Sequence, residues 1–138
     1  MNTISLTAKQ VKELVKIAKD AFPNECCAFL LGDSNDCEKV ETIIPMRNID
    51  KSPVSFSIDP AELLNAYNLA FSKGMEVCAI FHSHPTKASP SSIDIKYMQI
   101  NPVIWLIYST TEYEIRAFVY EDDDIIREIA INIIAAKA

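Results

Sequence analysis

His82 and His84 are the only histidines in the chain, and they stand two residues apart. Random placement would give that gap about one time in 70, so the spacing is informative without being decisive. Its value lies in strand geometry. Residues i and i+2 of a strand point to the same face, with α-carbons about 6.5–7 Å apart. Two imidazoles so placed can converge on one metal ion, whereas adjacent positions on one strand cannot. The preceding residues, Val77 to Phe81, are apolar on both faces, which predicts a rigid buried strand beneath the pair.

A carboxylate follows shortly. In His82-Ser83-His84-Pro85-Thr86-Lys87-Ala88-Ser89-Pro90-Ser91-Ser92-Ile93-Asp94, Pro85 stops the strand and Pro90 primes a new helix. Ser91 or Ser92 would cap that helix. Asp94 then falls in its first turn, where the helix dipole favours the ionised form. Two histidines and one carboxylate leave the fourth tetrahedral position of a zinc ion open to water, as a catalytic site requires. Zinc accepts this donor set, has no redox chemistry of its own and lowers the pKa of bound water toward about 7. A second carboxylate must then carry the proton to the leaving amine. Glu25, at the head of an apolar run, is the candidate.

These residues need a scaffold, and the sequence supplies one. Val11, Leu14, Val15, Ala18 and Phe22 recur at helical spacing, Thr7 and Gln10 suit a capping box, and Pro23 ends the helix. Strands are expected over 25–31 and 37–44, with turn chemistry at 32–36. Asp59-Pro60-Ala61-Glu62 reads as a capped helix start. Leu63, Leu64, Tyr67, Ala70 and Phe71 form its apolar face, and Gly74 ends it. A strand over 76–84, a short helix over 91–99 and strands over 102–109, 113–120 and 125–134 complete the order. The acidic run Glu121 to Asp124 reads as a solvated turn. The fold class is α+β: a single domain over residues 1–138, with a mixed sheet flanked by helices. Several connections are too short for parallel crossovers.

Composition narrows the function classes. The net charge is −6, with 49% apolar and 23% charged residues. That is an ordinary globular balance, and it lacks the basic face that nucleic acid demands. No apolar run is long enough to span a bilayer. Cys26, Cys27, Cys37 and Cys78 show no C-x-x-C spacing. They are expected as reduced, partly buried thiols, with Cys26 and Cys27 on opposite faces of a strand. A cytoplasmic protein without membrane or nucleic-acid partners is the expectation.

Taken together, Glu25 with Cys26-Cys27-Ala28-Phe29-Leu30-Leu31-Gly32, His82-Ser83-His84-Pro85 and Pro90-Ser91-Ser92-Ile93-Asp94 resemble the JAMM motif of the MPN family of metallopeptidases. Phe56 and Asp59-Pro60 resemble that family too, and the likeness runs over residues 6–134. It implies a cytidine-deaminase-like architecture. It also implies zinc held by His82, His84 and Asp94, Glu25 as general acid/base, and Ser91 at the oxyanion. The substrate it implies is a ubiquitin-like protein, including sulfur carriers, cut after its C-terminal tail. Six residues separate His84 from Ser91 where the family commonly has seven, and Ala28 replaces a usual glycine. A non-catalytic MPN scaffold and a DNA-repair-associated relative are the alternative readings. The complete ligand set argues against the first, and the acidic charge against the second.

Overall fold

The computed structural model describes residues 1–136. The elements run β1 (Thr3–Thr7), α1 (Ala8–Ala21), β2 (Cys27–Asp33), β3 (Thr42–Met46), α2 (Pro60–Ser72), β4 (Met75–His84), α3 (Ser92–Ile100), β5 (Ile104–Ser109), β6 (Glu114–Tyr120) and β7 (Ile126–Ile134). The seven strands form one sheet in the order β1-β7-β6-β5-β4-β2-β3. Pairing is parallel at β1–β7 and β4–β5 and antiparallel elsewhere. The expected mixed α+β sheet is therefore the fold.

The sheet separates two cores. On one face α1 packs through Leu14 and Ala18 against Ala28, Leu30, Phe81, Leu106 and Ala117. On the other, Cys27, Phe29, Ile80, Trp105 and Ile107 meet α2 and α3 through Ala66 and Met98. Cys26 and Cys27 fall in different cores, as strand alternation requires. The sheet also curls. Ser5 N–H donates to Glu38 O and Val40 N–H donates to Ser5 O, so segment 38–40 lies along β1. This strap joins β2 to β3, so the two ends of the sheet nearly meet.

Several expectations are corrected. A strand, β1, precedes the first helix; its five residues lead into α1 without a linker, and their partner, β7, lies at the far end of the sequence. The strand expected over 37–44 begins only at Thr42, because residues 38–40 serve as the strap. Asp59 caps α2 through Ala61 N–H, but Glu62 completes no box; it turns to Arg47, 3.6 Å away. The buried face of α2 is Ala66 and Ala70, while Leu64 and Phe71 are 60% and 87% exposed. Small residues let the helix lie close to β4, Leu63 packs at the edge of the core, and Leu64 and Phe71 are turned outward. Cys37 and Cys78 are joined in a disulfide, with α-carbons 5.1 Å apart. The turn after β2 carries Cys37 back over β4. Cys26 and Cys27 remain free and buried.

Candidate metal centre and active-site cleft

β4 is paired on both sides as far as His82 and on the β5 side alone at His84. His82 lies opposite Cys27 of β2 and Ile107 of β5, and His84 opposite Ser109. These ladders fix the backbone from which both imidazoles leave the same face. Ser83, pointing the other way, accepts Cys26 N–H through Oγ at 2.9 Å. The chain beyond β4 is tied down as well: Thr110 N–H donates to His84 O, Thr111 Oγ1 donates to Pro85 O, and Ala88 is buried.

Ser91 is the N-cap of α3, which decides between the two candidate serines for that role. Asp94 N–H donates to Ser91 Oγ at 3.1 Å, and Ser91 N–H donates to Asp94 Oδ2 at 2.9 Å. This capping box aims the carboxylate of Asp94 back toward β4. Asp94 Oδ2 lies 3.1 Å from His82 Nε2 and 3.1 Å from His84 Nε2, and the two Nε2 atoms are 2.9 Å apart. Ligands about 2.0–2.1 Å from a tetrahedral zinc ion would sit about 3.3 Å apart. The three atoms thus form a near-equilateral triangle slightly smaller than that ligand face, and the residues present fit the ion. His84 Nδ1 lies 3.2 Å from Lys87 O. A proton on Nδ1 in that bond leaves Nε2 with a free lone pair, the tautomer a metal ligand needs. Among the described residues His82 Nδ1 has no hydrogen-bond partner. Its ring is instead held by Phe56 and Trp105, with centroids 5.2 and 5.8 Å away.

Glu25 sits two residues before β2 rather than opening it. Its Oε2 lies 3.7 Å from His84 Nε2. Glu25, His82 and His84 also offer ligand atoms within 4.8 Å of one another. The cluster therefore holds four donors, of which Asp94 is nearer to both imidazoles than Glu25 is to His84.

Electrostatics distinguish the two carboxylates. Burial pushes the Glu25 carboxyl up to about 7, with His84 pulling it down and Asp94 adding a smaller upward push. Burial would raise Asp94 too, but contacts with His82 and His84 and the Ser91 N–H hold it well below the usual carboxylate range. Burial depresses His82, while His84 is raised, its own burial being outweighed by Asp94 and Glu25. One acid is thus fixed as an anion and the other is poised near neutrality, the separation that acid/base chemistry exploits.

The site opens on a cleft of about 450 Å³ lined by Glu25, Pro53, Val54, His84, Pro85 and Ser91. On its other side Phe56 and Trp105 continue into an apolar groove walled by Leu63, Tyr67 and Tyr97. Every residue singled out in the sequence for this site is brought together. The sequence places Trp105 only within the strand expected over 102–109 and assigns no element to residues 45–58, yet Trp105 and Phe56 both lie against His82. Phe56 was noted there only for its family likeness.

The family description "prokaryotic homologs of the JAB domain" matches residues 7–121. The chain belongs to the prokaryotic JAB family. It is 34% identical over 131 residues to a desampylase of Pyrococcus furiosus, covering 94% of this chain and 90% of that protein. It is 27% identical over 133 residues to a CysO-cysteine peptidase of Mycobacterium tuberculosis, again covering 94% and 90%. Among solved structures, a Desulfitobacterium hafniense protein determined in solution superposes with a TM-score of 0.83 at 35% identity, covering 96% of this chain and 94% of the other. The family match runs from the end of β1 through β6 and stops before β7.

Proposed function

We propose that this JAB protein is a zinc-dependent peptidase that hydrolyses the bond after the C-terminal tail of a ubiquitin-like or sulfur-carrier protein. In this reading His82 Nε2, His84 Nε2 and Asp94 Oδ2 hold the ion. The observation that carries it is their triangle, with edges of 2.9, 3.1 and 3.1 Å, and the buried Glu25 carboxylate 3.7 Å from one of its corners.

When bound, zinc supplies Lewis acidity, polarising the scissile carbonyl and acidifying water at neutral pH. Glu25 then takes a proton from the attacking water and returns it to the leaving amine. Its burial beside His84 places the carboxyl where it can hold that proton between the two transfers. Ser91 Oγ accepts from Asp94 N–H, which leaves its hydroxyl proton free to turn toward an oxyanion in the cleft. Phe56 and Trp105 shield the His82 side of the site from water.

The substrate assignment rests on the names of the relatives, a desampylase and a CysO-cysteine peptidase, and on the shape beside the site. The groove past Phe56 suits an extended apolar tail, and exposed Leu64, Tyr67 and Phe71 offer a hydrophobic face to the body of a small partner. The expected absence of nucleic-acid and membrane partners belongs to the same reading, as does a cytoplasmic setting. Among the described residues no helix is long and apolar enough to cross a membrane. A scaffold needs no such convergence of four donor side chains.

Metal analysis of the purified protein is expected to give about one zinc per chain. E25Q should keep the metal and lose about 100-fold or more in turnover of a tail-extended ubiquitin-like protein followed by mass spectrometry. H82A should lose both. A folded, metal-free parent that binds no added zinc refutes the assignment, and a fully active E25Q removes Glu25 as proton carrier.

A further inference from the structure

Glu25 lies outside the β2 ladder, so the sheet does not orient it. Its backbone is instead bonded on both sides to the segment between β3 and α2. Glu25 N–H donates to Ser52 O at 2.8 Å, and Glu25 O accepts from Asn48 Nδ2 at 2.9 Å. The same Nδ2 donates to Ser55 O at 3.0 Å, while Asn48 Oδ1 accepts from Asp50 N–H at 3.0 Å and Ser57 N–H at 3.2 Å. One amide side chain therefore spends all of its ordinary hydrogen-bonding capacity, two donors and two lone pairs, on four backbone groups.

The geometry points to Asn48 as the positioning residue for Glu25, an inference that rests on the peptidase reading above. Asn48 folds residues 48–57 into a closed loop and clamps that loop to the Glu25 carbonyl. The loop carries Phe56, stacked 5.2 Å from His82, and Pro53 and Val54, which wall the cleft beside Glu25 and Ser91. A single side chain thus ties together the proton carrier, one imidazole's packing partner and one wall of the substrate cleft. It touches no reacting atom. It acts by fixing where the Glu25 carboxylate stands relative to His84. A displacement of about 1 Å at such a group can cost about 100-fold in rate.

The variant to make is N48D, which keeps the size and one acceptor but sets a carboxylate oxygen against the carbonyls of Glu25 and Ser55. With a tail-extended ubiquitin-like substrate, kcat should fall by roughly 10- to 100-fold with KM nearly unchanged. Zinc content should stay at that of the parent. In an E25Q background N48D should add less than about twofold, because a positioning residue has nothing left to position. A purely structural loop residue would multiply the two losses. A readout without substrate is amide hydrogen exchange: N48D should speed exchange at Glu25 by about tenfold or more while the amides of Ile104–Ser109 keep their protection. Multiplicative losses, or unchanged protection at Glu25, overturn the inference. If N48D costs β5 its protection, D50A takes its place. Asp50 accepts from the hydroxyls of Ser55 and Ser57 on the outer side of the same loop, and its removal should move kcat and Glu25 exchange in the same direction by about threefold. No change in either then overturns the inference. A parent that cleaves no such substrate defeats the peptidase reading, and the exchange measurement still decides on Asn48.

Discussion

Asp94 helps cap α3 and is proposed to bind zinc, and paired variants can divide the two roles. Its Oδ2 accepts Ser91 N–H at the start of α3 and also lies 3.1 Å from both imidazoles. D94N keeps an oxygen for the Ser91 N–H but loses the charge; D94A loses both. Without metal, D94A should be about 1 kcal/mol less stable than D94N, the usual worth of a cap contact. With metal, the two should fail alike. Zinc at 100 times its dissociation constant stabilises a binding protein by about 2.7 kcal/mol. A chain of 138 residues gains about 3.4 °C in Tm per kcal/mol, so the parent should rise by about 9 °C. Loss of a ligand weakens binding by at least the 100-fold that a supporting contact can cost. The gain at the same zinc concentration then drops to about 0.4 kcal/mol, or about 1 °C. Thermal unfolding with zinc and with chelator reads both effects, with no substrate needed. D94N showing the parent's full zinc-dependent shift would refute Asp94 as a ligand.

Other outcomes follow from the cysteines and the core. The Cys37–Cys78 bond closes a sequence separation of 41 residues, so the C37S/C78S double variant should lose up to about 4 kcal/mol, measured by denaturant unfolding. Burial pushes the Cys26 and Cys27 thiols up to about 11 and about 12. Both should resist a thiol reagent at pH 8 in the native protein, while denatured, unreduced protein should titrate two thiols and reduced protein four. W105A should cost about 3–5 kcal/mol in stability, since the indole is buried and its Nε1–H donates to Asn101 O.

What the sequence made legible was local. The Thr7–Gln10 box, the Asp59 cap and the His82–His84 alternation each depend on residues within a few positions, and each stands as read. The convergence of Asp94 on the histidines followed from the same kind of reasoning, because Pro85 and Pro90 constrain a loop of a few residues. What stayed hidden depends on distant chain. β1 finds its partner more than 120 residues later, and Cys37 finds Cys78 across the β2–β3 turn. On α2 apolar residues occupy nearly every side, so periodicity names no unique stripe, and Ala66 and Ala70 win because small side chains allow close approach to the sheet. Asn48 gave no signal at all: an asparagine in an irregular stretch looks like any turn residue until its four partners are seen.

The strap at residues 38–40 has a mechanical consequence. It ties β1, at one edge of the sheet, to the chain between β2 and β3 at the other. A two-residue slip of β4 would keep its faces unchanged and still carry both imidazoles nearly 7 Å away from α3. Cys78 opposes that slip, because its bond to Cys37 anchors β4 to the same connection that Ser5 holds through Glu38 and Val40, so the aim of the two rings is guarded from the other end of the strand.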